Sequence, residues 1–267
     1  MLVVHQPLVM GIINATPDSF YQGSRFADTS AILLKAQKMI AEGADIIDMG
    51  GQSTRPGSEQ ISEHEELNRV IEGVEAIHRK FPDTIVSIDT YHASVAKHCV
   101  EAGASIINDV SGGAMDKNMI PTVASLHTPY VLMHMKGTPA TMQQESNYEN
   151  VTREVFDFFV RKKEECRKAG IHDLIIDPGI GFAKTINHNF ELLRNLNVFK
   201  MLEAPVMIGV SRKSSVYKSL GVTPEDALNG TTVLNTIALM NGANILRVHD
   251  VKAAKEAVKL WSLVNTG

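Results

Sequence analysis

Four polar residues far apart in the chain share one kind of chemistry: Asp89, Asn108, Asp177 and Lys213. A carboxylate can accept two parallel N–H donors from a heterocycle with a 2-amino-N–H edge. An amide such as Asn108 can both donate to and accept from the same ring. Lys213 can donate to a ring carbonyl or nitrogen, or form an ion pair with Asp177, and the two are compatible before a ligand arrives. A second group is Asn14, Thr54, Arg247 and His249. Arginine and histidine beside hydroxyl and amide donors make an anion site. The Asn14 amide oxygen can ligand a hard cation that bridges phosphate oxygens, as Mg²⁺ is commonly held. Arg247 and His249 stand two apart, so on a strand they point the same way. Each group has a plainer reading. Asp and Asn at strand ends cap the helix that follows, which fits Asp109 and Asp250 best, and Arg247 could be merely exposed with His249 as a cap.

These residues need elements that bring them together. Near-continuously apolar runs at 8–13, 45–49, 84–88, 105–108, 130–134, 174–176, 205–208 and 244–248 read as strands buried on both faces. Amphipathic stretches at 30–42, 63–79, 93–101, 150–169 and 227–240 read as helices between them. Gly43, Gly103, Gly170 and Gly242 stand where helices would end. Glu42-Gly43-Ala44-Asp45, Glu101-Ala102-Gly103-Ala104-Ser105 and Asn241-Gly242-Ala243-Asn244 repeat one helix-to-strand joint. Eight strand–helix units without a low-complexity linker indicate an α/β fold, a (β/α)8 TIM barrel in a single domain over 1–267. A doubly wound open sheet is the alternative. In the barrel, active sites lie where the strands end at the C-terminal face, and both polar groups fall there. So do Gly-rich loops carrying Phe20 and Phe182, either core aromatics or stacking surfaces for an aromatic ligand.

Composition narrows the function class. Of 267 residues, 44% are hydrophobic and 21% charged, an ordinary globular balance, and the net charge of −4 offers no bulk basic surface for nucleic acid. No apolar run reaches the length of about 18 residues that a membrane span needs. Cys99 and Cys166 lie in no metal-ligand spacing and read as reduced structural thiols. The N-terminus Met1-Leu2-Val3-Val4-His5 lacks a basic leader, so a cytoplasmic location is expected. His64, His78, His92 and His98 fall in helical patterns and read as solvated, and no HExxH or GxSxG motif occurs.

The assembled motifs resemble a family. Asn14-Ala15-Thr16-Pro17-Asp18-Ser19-Phe20 and Asp177-Pro178-Gly179-Ile180-Gly181-Phe182 look like the two signatures of dihydropteroate synthases. Ser53-Thr54-Arg55-Pro56-Gly57, Asn108-Asp109-Val110-Ser111-Gly112, Ser211-Arg212-Lys213-Ser214 and Arg247-Val248-His249 resemble that family's other motifs. The likeness covers about residues 8 to 260. It implies a transferase that condenses 6-hydroxymethyl-7,8-dihydropterin diphosphate with 4-aminobenzoate and releases pyrophosphate, by dissociative substitution at the pterin methylene. It implies a pterin site of Asp89, Asn108, Met133, Asp177 and Lys213. The diphosphate would lie on Asn14, Thr54, Arg247 and His249, with Mg²⁺ on Asn14. The 4-aminobenzoate would meet Phe20, Pro56, Phe182 and Ser214. Asp89, Asp177, Lys213, Arg247 and His249 would act on the reacting bond. A homodimer is implied by resemblance alone.

The sequence departs from the family pattern where Phe20-Tyr21-Gln22-Gly23-Ser24-Arg25-Phe26 replaces a common Ser-Asp-Gly-Gly after the Phe, and where Ala15 replaces Val. Three rivals share parts of the pattern. A pterin-binding methyltransferase would not need the Ser-Arg-Lys, Arg-Val-His or Ser-Thr-Arg-Pro pieces. A Schiff-base aldolase with Lys213 as nucleophile would need that amine desolvated, away from carboxyl and amide partners. A non-catalytic pterin-binding barrel would need no intact reacting set.

Overall fold

The computed structural model describes residues 4–16, 25–53, 60–138 and 141–265. Its strands are β1 (Leu8–Asn14), β2 (Ile46–Gly50), β3 (Ile85–Asp89), β4 (Ile106–Asp109), β5 (Tyr130–Met133), β6 (Leu174–Asp177), β7 (Met207–Ile208) and β8 (Ile245–Val248). The strand pairings among the described residues are all parallel, and the order β6-β5-β4-β3-β2-β1-β8-β7 makes sequential strands neighbours. The β1–β8 pair returns the sheet on itself, and a parallel bridge between Ile176 and Val206 brings its two edges together. This nearly closed (β/α)8 barrel removes the doubly wound alternative.

The helices are α1 (Arg25–Ala41), α2 (Glu63–Lys80), α3 (Ala93–Glu101), α4 (Met119–Leu126), α5 (Val151–Ala169), α6 (Ile186–Arg194), α7 (Ser214–Leu220), α8 (Leu228–Met240) and α9 (Val251–Asn265). The repeated joint has a common physical basis. Gly43, Gly103 and Gly242 take φ of +96°, +115° and +101°, a region open to glycine at little cost. In each joint the Gly N–H donates three residues back and the following Ala N–H five back, the paired bonds that close a helix end.

Helices α4, α6, α7 and α9 lie outside the stretches read as helical from sequence, and β7 is shorter than its run. The run at 205–208 yields only a two-residue strand. Pro205 has no N–H, and the Val206 N–H is taken by Asn244 Oδ1 at 2.9 Å rather than by a ladder partner. α4 is masked in the sequence by Pro121 and an almost wholly apolar composition. Pro121 falls in the helix's first turn, where an N–H has no intrahelical acceptor in any case.

The barrel interior is layered. Met10, Ile46, Ile106, Val131, Ile175, Met207 and Ile245 form a sealed plug. A larger core packs the outward faces of the strands against the helices. Two residues beyond the plug on the same strands stand Asp48, Asn108, Met133, Asp177 and Arg247, and Asp89 follows Ser87 on β3. Alternation along a strand keeps each on the inward face. The apolar plug is thus the floor, and the next inward layer is where polar chemistry begins.

Candidate active site

The polar layer is tightly bonded. Arg247 Nε donates to Asp48 Oδ2 at 2.6 Å and Nη2 donates to Asp89 Oδ2 at 2.5 Å. Asn108 Nδ2 donates to the same Asp48 oxygen at 3.0 Å. Burial works against the Arg247 charge, but Asp48 and Asp89 outweigh it and hold its pKa above the usual value. Burial pushes the Asp89 carboxyl up to about 7, with Arg247 opposing and Asp48 adding to the rise.

Across the mouth, Asp177 Oδ1 accepts the Gly179 N–H at 2.8 Å, and its carboxyl is raised by burial against the pull of Lys213. Lys213 precedes α7. Its Nζ donates to the Ile180 carbonyl at 2.6 Å and sits over the Phe182 ring, 4.6 Å from the centroid. No Lys213–Asp177 pair falls within ion-pair distance among the described residues. Burial lowers the Lys213 amine to about 8, opposed first by Asp177. Phe182 and Met133 are buried in one cluster at the mouth with Tyr91, Val110, Met142 and Ala183.

The other half of the site lies nearer the rim. His249 N–H donates to Ser211 Oγ at 3.2 Å, and that hydroxyl lies 3.0 Å from His249 Nδ1. The direction of that second contact follows the ring's tautomer: the hydroxyl donates to a bare Nδ1 or accepts from Nδ1–H. Desolvation and then the cations Arg247 and Lys35 lower the His249 pKa. Asn14, half-buried at the end of β1, has no hydrogen-bond partner for its side chain among the described residues. Ser214 opens α7 beside Lys213. Thr54, Phe20 and Pro56 lie outside the described residues.

The strand ends therefore bring together Asp89, Asn108, Met133, Asp177, Lys213 and Phe182, with Asn14, His249 and Ser214 higher on the wall. Arg247 departs from its sequence grouping. The sequence sets it with the anion donors, and in the structure its guanidinium lies on the two carboxylates of the floor, Asp48 and Asp89. Asp109 acts as a loop anchor, accepting from Ser111 N–H, Gly113 N–H and Tyr130 Oη, each at 2.7 Å. Asp250 is engaged by Arg212 through Nε at 2.8 Å and Nη2 at 2.9 Å, a bidentate ion pair in place of the expected cap. His92 is the residue before α3 rather than within it, its Nε2 lying 3.9 Å from buried Glu66. From sequence, Asp48 stands at the end of the second strand with no role assigned to it. It is wholly buried, and its second oxygen has no hydrogen-bond partner among the described residues. Its signal was the alternation Ile46, Asp48, Gly50, which puts a carboxylate directly above the apolar plug.

Comparisons with known proteins agree with this geometry. The family model described as pterin binding enzyme matches residues 10–249. A dihydropteroate synthase of Haemophilus influenzae is 42% identical over 257 residues, covering 96% of this chain and 93% of that protein. The structure of the Xanthomonas albilineans dihydropteroate synthase with 4-aminobenzoic acid superposes with a TM-score of 0.92 at 38% identity, covering 100% of this chain and 96% of that one. The same enzyme in complex with 7,8-dihydropteroate gives 0.89 at 36% identity, with the same coverage. Barrel, mouth residues and relatives coincide over nearly the whole length, and the chain belongs to the pterin-binding enzyme family, among its dihydropteroate synthases.

Proposed function

We propose that this chain joins 6-hydroxymethyl-7,8-dihydropterin diphosphate to 4-aminobenzoate, releasing pyrophosphate and forming 7,8-dihydropteroate. The observation that carries the reading is the division of charge at the mouth. Asp48, Asp89 and Asp177 make a buried acidic floor, while Arg247, Lys213 and the His249 imidazole border it. A pterin ring fits the floor: Asp177 keeps one oxygen uncommitted to the loop, Asn108 offers an amide, and Lys213 is poised at the edge. Met133 closes the pocket from the side. The diphosphate falls to Arg247, His249, Thr54 and Asn14.

The bond that breaks joins the pterin methylene carbon to the diphosphate oxygen, and both electrons leave with pyrophosphate. The remaining pterin carries positive charge, which Asp89 and Asp177 favour, while Arg247 and His249 favour the departing anion. The arylamine nitrogen then forms the new carbon–nitrogen bond and loses a proton. Phe182, Phe20 and Pro56 would wall the 4-aminobenzoate, with Ser214 at its carboxylate. The uncommitted amide of Asn14 is a hard oxygen donor at the phosphate end and suits Mg²⁺, which when bound would neutralise phosphate charge.

The whole chain acts as one domain in this reading. No described helix is long and apolar enough to cross a membrane. The free, buried Cys99 and Cys166 suit the reducing cytoplasm. Exposed Val233, Ile237 and Met240 on α8, with Leu260 and Leu263 on α9, support a homodimer. The test is a turnover assay with both substrates, reading pyrophosphate and dihydropteroate together. Equimolar formation of the two, abolished by excess EDTA and restored by Mg²⁺, is expected. Pyrophosphate without dihydropteroate would overturn the condensation, and full turnover in EDTA would remove the Mg²⁺ assignment.

A further inference from the structure

Lys184 is a lysine that the reaction as described does not use, and it is only 6% exposed. Its Nζ lies 3.0 Å from His134 Nδ1, 3.0 Å from the Phe182 carbonyl oxygen and 3.3 Å from the His134 carbonyl oxygen. An ammonium has three protons, and here it meets three acceptors. His134 is itself buried and packs edge-on against Phe158, with ring centroids 4.9 Å apart. Burial, then Lys184 and Lys136, hold its imidazole well below the usual pKa, which favours the neutral ring, and in the Nε2–H tautomer Nδ1 accepts from the Lys184 ammonium.

The contacts join the end of β5 to the loop after β6. That loop is conformationally expensive: Gly179, Gly181 and Ala183 take φ of +72°, +85° and +50°. A left-handed alanine needs support from its surroundings, and the bond from Lys184 to Phe182 oxygen spans it. The same loop carries three features of the mouth. Gly179 N–H holds Asp177, the Ile180 carbonyl receives Lys213, and the Phe182 ring lies under the Lys213 ammonium. A methionine would fill the space without the desolvation that lowers the Lys184 amine to about 7, a burden opposed chiefly by Asp177.

We propose that Lys184 is a positioning residue: by tying the 178–185 loop to His134, it sets where Lys213 and Asp177 meet the pterin. The inference rests on the pterin reading of the pocket. The test is a double-mutant cycle on binding of 6-hydroxymethyl-7,8-dihydropterin, measured calorimetrically on folded Lys184→Met, Lys213→Ala and the double variant. Each single change is expected to weaken binding by about tenfold. The double should be weaker than the weaker single by less than about threefold, because both act through one contact set. Losses that multiply would overturn the inference. So would a Lys184→Met variant with a lower melting temperature but unchanged affinity, the behaviour of a merely structural lysine. If Lys184→Met does not fold, Lys184→Arg is read instead. Its planar fork cannot place one nitrogen among these acceptors, so weakened binding is expected and wild-type affinity would overturn the inference. Unchanged affinity in Lys213→Ala would take away the pocket reading and this inference with it. Loss in Lys213→Ala beside none in Lys184→Met would overturn the inference alone.

Discussion

Asp177 divides its two oxygens between structure and chemistry. One accepts the Gly179 N–H, and the other has no hydrogen-bond partner among the described residues. The division yields a sharp prediction. Asp177→Asn keeps an oxygen for Gly179 but loses the anion that pairs with the ring's donors. A charge-assisted hydrogen bond contributes about 1.5–3 kcal/mol, so pterin affinity should fall by tenfold or more in a titration. Weakening of less than a few-fold would mean that Asp177 serves the loop alone. The positions of Asp89, Asn108 and Lys213 at the mouth were legible in the sequence because each ends or follows an apolar run, although helix capping and an Asp177–Lys213 pair were open alternatives there. The partner of Arg247 was not. Its spacing from His249 gave the direction of the side chain, but choosing between phosphate and carboxylate needed the distances to Asp48 and Asp89, which belong to strands far away in sequence.

The elements hold these side chains through glycine geometry at the strand-to-helix turns. Gly179 takes a left-handed φ, and a Cβ there would collide with the His134 carbonyl oxygen, a backbone atom that cannot swing aside. Gly221, at the end of α7, has a similar φ of +67° with nothing within 4 Å of such a Cβ. Gly221→Ala should therefore cost only the left-handed strain, about 1–2 kcal/mol. Gly179→Ala adds the collision and should lower the urea midpoint clearly further, while also weakening pterin binding through Asp177. Equal midpoints for the two variants would show that the β6 loop is not constrained by β5. The helix-ending glycines were readable because the joint occurs three times with the same neighbours. α4 was not, because a proline in the first turn carries the same letter as one that breaks a helix. Lys184 was missed for a related reason: its role depends on His134, fifty residues away.

At the scale of the molecule, barrel closure converts a chain of net charge −4 into a mouth where both signs are concentrated. The barrel itself was legible from eight alternating units, and so was the face that carries the chemistry. The weak closure between β6 and β7 was not, since it depends on how Pro205 and Asn244 share hydrogen bonds. By favouring charge on both fragments, this mouth is expected to break the methylene carbon–oxygen bond before the amine attacks. The most direct measurement uses dihydropterin diphosphate labelled with ¹⁸O at the bridge between methylene and phosphorus, incubated with the protein and Mg²⁺ without 4-aminobenzoate. Label should move from the bridge into non-bridging phosphate positions in recovered substrate, or solvent oxygen should enter the methylene position of any hydrolysed pterin. An unscrambled label and no solvent oxygen, from protein that turns over fully once 4-aminobenzoate is added, would contradict it and place the amine in the bond-breaking step.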